Sequence, residues 1–404
     1  MDNIKNKIKK LSSEYFSEIV KIRRHIHSNP ELALKEYETS DYIVSKLKEY
    51  NIPYTQGIAR TGITALIKGK KNNSSNSDEK IIALRADMDA LPIEEKNDIE
   101  YKSKNTGVMH ACGHDVHTAS LLGTAKILNN LRDDFQETVK LIFQPSEEEF
   151  PGGALMMLKQ GIFKDIKVSK VFGQHVYPEL EAGKIGIKKG KYMASTDEIY
   201  ITVRGKGGHS AMPEQNIDPI LIASHIIIAL QQIVTRYSKP YVPTVLSFGR
   251  FIAQGKTNIT PDKVKLEGTF RTFDEEWRDK AHKKIIKMAE TIAESMDGKC
   301  EVRISRGYPC LINDEKTSDD VKKYAEQYIG KQNVVDLDLQ MIAEDFAYYA
   351  QLAPACFYRL GTKNEAKNIT SNLHTSTFNV DERSIETGMG LMAWITINEL
   401  QENC

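Results

Sequence analysis

Long hydrophobic runs, an excess of either charge and a cysteine framework are all missing from this 404-residue sequence. No window is expected to reach the roughly 18 apolar residues that a membrane span needs. The opening stretch MDNIKNKIKKLSSEYF is charged and amphipathic and has no continuous apolar signal-peptide core. Lysine plus arginine and aspartate plus glutamate both number 55, so nothing suggests nucleic acid or an anionic membrane as partner. The five cysteines (Cys112, Cys300, Cys310, Cys356, Cys404) are odd in number and scattered. That pattern argues against disulfides and for a reducing, cytoplasmic setting. Repeats at solenoid periods are also absent. What is present is an ordinary globular composition, 40% hydrophobic and 27% charged, in a chain long enough for two or three domains.

Apolar residues at helical spacing (Ile8, Leu11, Phe16, Ile19, Ile22, Ile26) predict a helix over residues 4–28, and a second follows over 39–50. Between Lys68 and Lys80 the polar run reads as a solvated loop without function. Four short apolar runs each end in polar residues: Ile81–Leu84 before Asp87 and Asp89, Val139–Phe143 before Glu147 and Glu148, Val171–Phe172 before His175, and Cys356–Leu360 before Gly361. Strands alternating with helices imply an α/β sheet, whose ligands collect beyond the carboxyl ends of its strands. Residues 195–306 read differently, as strand, helix, strand, strand, helix, strand. That order is the split βαβ, ferredoxin-like module. It lies inside the α/β region, which predicts a catalytic domain of residues 1–194 and 307–404 interrupted by an inserted domain of residues 195–306.

The densest chemistry is Met109-His110-Ala111-Cys112-Gly113-His114-Asp115-Val116-His117. Alone, Cys112 and His114 read as a buried thiol and a satisfied loop histidine. With Glu147, Glu148, His175 and His374 elsewhere in the chain, they make a thiolate, imidazole and carboxylate set suited to zinc and similar divalent metals. Metal-assisted hydrolysis needs a carboxylate ligand and a separate general base. The adjacent Glu147 and Glu148 offer that pair, although a run of three glutamates also suits a solvated loop. Asp115 and His117 lean to structural roles. In the 195–306 region, Gly205-Lys206-Gly207-Gly208-His209-Ser210 lacks the spacing of a phosphate loop. His209 there suits either an oxyanion donor or, more simply, a loop histidine. Asn258 and Arg271 lie beside strand ends, and Arg271 could clamp a carboxylate. A second Cys or His pair at zinc-finger spacing is missing.

Together, RHIHSNPE (24–31), RADMDALP, MHACGHDVHTA, QPSEE, GKGGHSAMP, NIDP, EDFAYY and LHTSTF run in order over nearly the whole chain. In this combination the chain resembles the aminoacylase/carboxypeptidase-type metallopeptidase superfamily, in particular the amidohydrolases that act on hippurate, auxin conjugates and N-acetyl amino acids. The resemblance implies a mixed-sheet, zinc-peptidase-like α/β catalytic domain with an inserted lid and dimerisation domain. It implies two divalent metals per subunit (zinc, manganese, cobalt or nickel) held by Cys112, His114, Glu148, His175 and His374. Glu147 would be the general base and Asp89 the supporting aspartate. Asp87 stands where other branches carry a metal-binding histidine, so no ligand role passes to it. His209 would reach a partner subunit's site, and Asn258 and Arg271 would hold the substrate carboxylate. The implied activity is hydrolysis of N-acyl-L-amino acids to a carboxylic acid and an amino acid, in a cytoplasmic homodimer without nucleic-acid or membrane partners. The rivals are a dipeptidase, aminopeptidase or carboxypeptidase acting on short peptides, and a silent binding protein of the same fold.

Overall fold

The computed structural model describes residues 2–70, 80–164 and 166–401. The polar run expected as a loop between Lys68 and Lys80 lies mostly outside the described residues. The chain clusters into two compact units, one of Met1–Gly190, Ile312–Asp338 and Asp345–Cys404, the other of Lys191–Leu311 and Leu339–Glu344.

The first unit is built on an eight-stranded mixed sheet. Its order is Tyr54–Ile58, Gly62–Lys68, Thr138–Gln144, Ile81–Asp87, Val168–Glu181, Ala355–Lys363, Ile185–Ile187 and Val334–Asp336. The four middle strands, from Thr138–Gln144 to Ala355–Lys363, run parallel. Strands Thr138–Gln144 and Ile81–Asp87 are buried at every position, which explains why they read as continuous apolar runs without alternation. Helices Asp2–Ser28, His114–Asn130 and Arg383–Gln401 pack on one another. Ile19, Ile22 and Ile26 of the first helix are fully or almost fully buried, each worth about 1.5–3 kcal/mol. Helix His114–Asn130 is buried on nearly all sides, as expected of a core helix. Pairing of Asp87 with Gln144 and of Arg85 with Gly173 brings Asp87, Gln144 and His175 to one edge of the sheet. That edge is where the parallel strands end.

The second unit is a four-stranded antiparallel sheet in the order Thr244–Ala253, Lys263–Thr272, Asp197–Arg204, Lys299–Arg306. With helices Pro219–Gln232 and Glu275–Glu294 between the strands, this is the split βαβ order. Asp197–Arg204 alternates buried and half-buried residues along its length, so one face of this sheet carries the core. Asp218 caps the first helix by accepting from the backbone N–H groups of Ile220 and Leu221. Asp274 caps the second through Trp277. A further pair of short strands, Gly208–His209 and Ile259–Thr260, joins two loops.

Two features differ from the sequence expectations. The segment Leu339–Glu344 clusters with the second unit, although nothing in its pattern marks it. And one helical stretch, Pro219–Tyr237, is long and apolar enough to cross a membrane by length and composition, where no such window was expected. Its Ile222, Ala223, Ile226 and Leu230 are buried in the core of the second unit. Ile220, Leu221 and Ile228 are exposed.

Candidate metal centre

Gly113 fixes the turn between Cys112 and His114. Its φ is +82°, and a Cβ there would meet Val176 Cγ2 at 2.5 Å. Only glycine combines that backbone with that close approach. The next residue, His114, begins the buried helix His114–Asn130, so the two side chains are delivered from a stiff junction.

Asp89 ties three parts of the site together. The strand ends at Asp87, and Asp89 lies just past it, fully buried. Its Oδ1 is 3.2 Å from His114 Nδ1 and accepts from the Glu147 backbone N–H at 3.0 Å. Its Oδ2 accepts from the Glu148 N–H, also at 3.0 Å. His114 therefore presents its other nitrogen, Nε2, to the site. One residue earlier, Ser146 takes a left-handed backbone (φ 54°), and its N–H goes to Glu36 Oε1 at 2.9 Å. Glu147 Oε1 lies 3.4 Å from the Asp345 backbone N–H. Asp345 in turn accepts from Arg85, from the Gln144 side-chain amide and from the Ala154 N–H.

His175 and His117 divide their nitrogens differently. His175 Nδ1 donates to the Val176 carbonyl at 2.7 Å, which leaves Nε2 bare, 3.4 Å from Cys112 Sγ. His117 Nε2 accepts from the Val176 N–H at 2.8 Å, so its proton sits on Nδ1 and goes to Asp87 Oδ1. Asp87 Oδ2 takes Arg85 at 2.6 Å. Both nitrogens of His117 and both oxygens of Asp87 thus have partners, and the grouping Asp87, His114, His117 is a poor one for a cation. His117 orients Asp87 and the Val176 backbone. His374 comes from a loop, with φ at 60° and its N–H bonded to the Ala111 carbonyl. Its Nε2 lies 3.3 Å from Cys112 Sγ and 3.2 Å from Glu148 Oε1. A histidine in that backbone region is uncommon, and such residues cluster at functional sites.

Two groups of candidate ligand atoms share Cys112, namely Cys112, His114, His175 and Cys112, Glu148, His374, and a third joins His114 to Glu147 and Glu148. Within each, the donor atoms lie within 4.8 Å of one another. The donor set fits divalent metal, and two further observations agree. His114 Nε2 is buried without a hydrogen-bond partner among the described residues, as a bare ligand atom would be. The field is also strongly negative. Burial opposes charge on His114, yet Asp87 and Asp89 overcome it and raise the imidazole to about 10. Burial, then the Glu148 and Glu147 carboxylates, push the Cys112 thiol well above its usual range. A thiolate at that position therefore calls for a cation.

The remaining expected residues belong to the second unit. His209 and Asn258 are exposed. The short ladder sets His209 opposite Ile259, and the Ser210 N–H bonds the Asn258 carbonyl at 3.1 Å. Arg271 is half-buried, and its Nη1 donates to the Met341 carbonyl. Sequence reasoning missed Glu36, Gln144 and the Arg85–Asp345 pair, and it assigned no bond to His117. Burial of charged residues was the available signal, and it needs the fold to be visible.

Comparison with known proteins identifies the family. The sequence model described as peptidase family M20/M25/M40 matches residues 83–397. An N-acyl-L-amino acid amidohydrolase from Geobacillus stearothermophilus is 42% identical over 76% of this chain and 81% of its own. Thermostable carboxypeptidase 2 from Saccharolobus solfataricus is 38% identical over 96% of both chains. The solved structure of a dinuclear metal-binding M20 peptidase from Bacillus subtilis superposes with a TM-score of 0.82 at 34% identity, over 96% of this chain and 99% of that one. The protein described here belongs to peptidase family M20/M25/M40.

Proposed function

We propose that this protein is a metal-dependent amidohydrolase that cleaves N-acyl-L-amino acids to a carboxylic acid and a free amino acid. The observation that carries the reading is the pair of ligand groups around Cys112, with Glu147 beside them. Cys112, His114, Glu148, His175 and His374 would hold two divalent ions, as in the dinuclear relative. When bound, such ions supply Lewis acidity, which polarises the scissile carbonyl and makes water a better nucleophile near neutral pH. Glu147 is the general base. Its carboxylate takes the proton of the attacking water and hands it to the leaving amine. Asp89 acts by orienting His114 and the Glu147–Glu148 backbone. His209 donates to the developing oxyanion, and Asn258 and Arg271 hold the substrate carboxylate.

In this reading the second unit is a lid and the seat of a homodimer. Support comes from the exposed apolar side chains of Ile220, Leu221 and Ile228 and from Thr244–Ala253, one of the two edge strands of its sheet. Sedimentation of the purified protein tests this, and a monomer at micromolar concentration counts against it. The four described cysteines are free thiols, consistent with the cytoplasm, and cell fractionation checks that assignment.

The name of the Saccharolobus relative favours a second reading, a carboxypeptidase on short peptides. A panel of N-acetyl and N-benzoyl amino acids against free dipeptides and tripeptides separates the two. The proposed enzyme prefers substrates whose acyl side has no free α-amine. Activity is lost on chelation and returns with zinc, manganese, cobalt or nickel. Activity untouched by chelation would sink the metal-dependent mechanism.

A further inference from the structure

Three consecutive backbone N–H groups, those of Ser146, Glu147 and Glu148, each end on a buried carboxylate. Asp89 receives the second and third. The first goes to Glu36, which lies 110 residues away in sequence and is fully buried. Glu36 uses both oxygens here. Oε1 accepts from Ser146 at 2.9 Å and Oε2 from the Thr61 hydroxyl at 2.7 Å. The Ser146 carbonyl is held too, by the Gly153 N–H at 2.8 Å.

Glu36 sits at the N-cap of helix Tyr37–Glu49, where a side chain ordinarily accepts from the helix's own first N–H groups. It makes no such bond. Glu31 serves those donors instead, accepting from the N–H groups of Glu38 and Thr39. A neighbouring acid thus caps the helix and leaves the Glu36 side chain for a distant loop. A buried acid turned away from its local task and aimed at one strained residue, Ser146 with φ at 54°, indicates a specific task there.

We propose that Glu36 is a positioning residue for the hydrolytic loop, holding the left-handed turn at Ser146 that presents Glu147 as base and Glu148 as ligand. This rests on the reading of Glu147 and Glu148 given above. Without the acceptor at Ser146, the turn relaxes and the two carboxylates lose their register with His114 and His374. A displacement of about 1 Å in such a site can cost on the order of 100-fold in rate.

The test compares Glu36→Ala, Glu36→Gln, Thr61→Val and Glu147→Gln in the metal-loaded full-length protein. The readouts are kcat and KM on an N-acetyl amino acid, metal content after dialysis, and the visible absorption of the cobalt-loaded protein. Glu36→Ala should lower kcat by about 100-fold with KM within about threefold, shift the cobalt absorption and lose part of the metal. Glu36→Gln keeps an oxygen acceptor for Ser146 and a donor for Thr61, and should restore kcat to within about threefold of the wild type. Thr61→Val, which spares the carboxylate, should give a smaller loss and a smaller spectral shift, and it decides the matter if the alanine variant does not fold. Unchanged cobalt absorption in every soluble variant overturns the proposal, and so does Glu36→Gln as damaged as Glu36→Ala. If Glu147→Gln keeps full activity, the reading of the base itself has failed. If Glu147→Gln is inactive while the Glu36 and Thr61 variants behave as wild type, only the positioning role has failed.

Discussion

In the first unit Cys112, His114, Asp89 and Glu147 are buried, and the orientations of His114 and Glu147 are set by partners already in place. In the second unit His209 and Asn258 are exposed on loops joined by a two-stranded ladder. The contrast separates two kinds of contribution. Buried polar groups with fixed partners provide preorganised electrostatics and a cation site whether or not substrate is present. The ring of His209 has one backbone partner, the Ala211 N–H at 3.1 Å, and stands outside the buried set, so its loss should register in turnover or KM and leave the metal untouched.

The sharpest way to break that contrast is Glu147→Gln. It should lower kcat by about 10²–10⁴-fold, with metal content and KM near the wild type. Metal loss in this variant would mean that Glu147 serves as a ligand. Next is His209→Ala, expected to lower kcat by about 10²–10³-fold while plasma emission spectroscopy finds the wild-type metal content. A parallel fall in metal would place His209 with the buried set. Arg271→Lys should raise KM roughly tenfold for substrates with a free carboxylate and leave their amide analogues unaffected, because a point charge replaces a planar fork. Equal effects on both substrates would remove Arg271 from carboxylate recognition.

The last prediction concerns pH and stability. Burial and then the Asp89 charge raise the Glu36 carboxyl from 4.5 to about 7. The folded protein therefore holds this proton over a range where the unfolded chain has released it. The resulting stability is fully present below about 4.5 and is lost as pH rises through about 7, a change on the order of 3 kcal/mol. Glu36→Gln lacks that titration. Denaturant unfolding of the metal-free proteins between about pH 5 and 8 should show the glutamine variant gaining on the wild type up to about pH 7 and no further. Parallel curves would show that Glu36 does not hold a proton in the fold.

Much of the architecture could be read from periodicity. The split βαβ order of the second unit follows from alternation in Asp197–Arg204 and from the amphipathic Glu275–Glu294 helix. Three of the four parallel strands announced themselves as apolar runs followed by acids or histidine, and the fourth ended in Gly361. Glu148 and His175 belong to such ends, Cys112 and His114 stand at the start of a helix and His374 in a loop, and the fold brings their donor atoms together. Glu36 could not be read in the same way. In sequence it is one acid among several before a helix, and its role depends on Glu31 taking over the cap and on Thr61 and Ser146 closing around it. Pro219–Tyr237 was underestimated because Ser224 and His225 interrupt its apolar run without ending the helix. The membership of Leu339–Glu344 in the second unit leaves no periodic trace at all.

One sulfur, Cys112 Sγ, is common to two of the ligand groups, and burial makes it reluctant to ionise. In the proposed two-metal reading its proton must leave when the sulfur takes up an ion, and so must the proton that Asp87 and Asp89 hold on His114. Metal titrations in weak buffer at neutral pH should therefore release more than one proton per subunit.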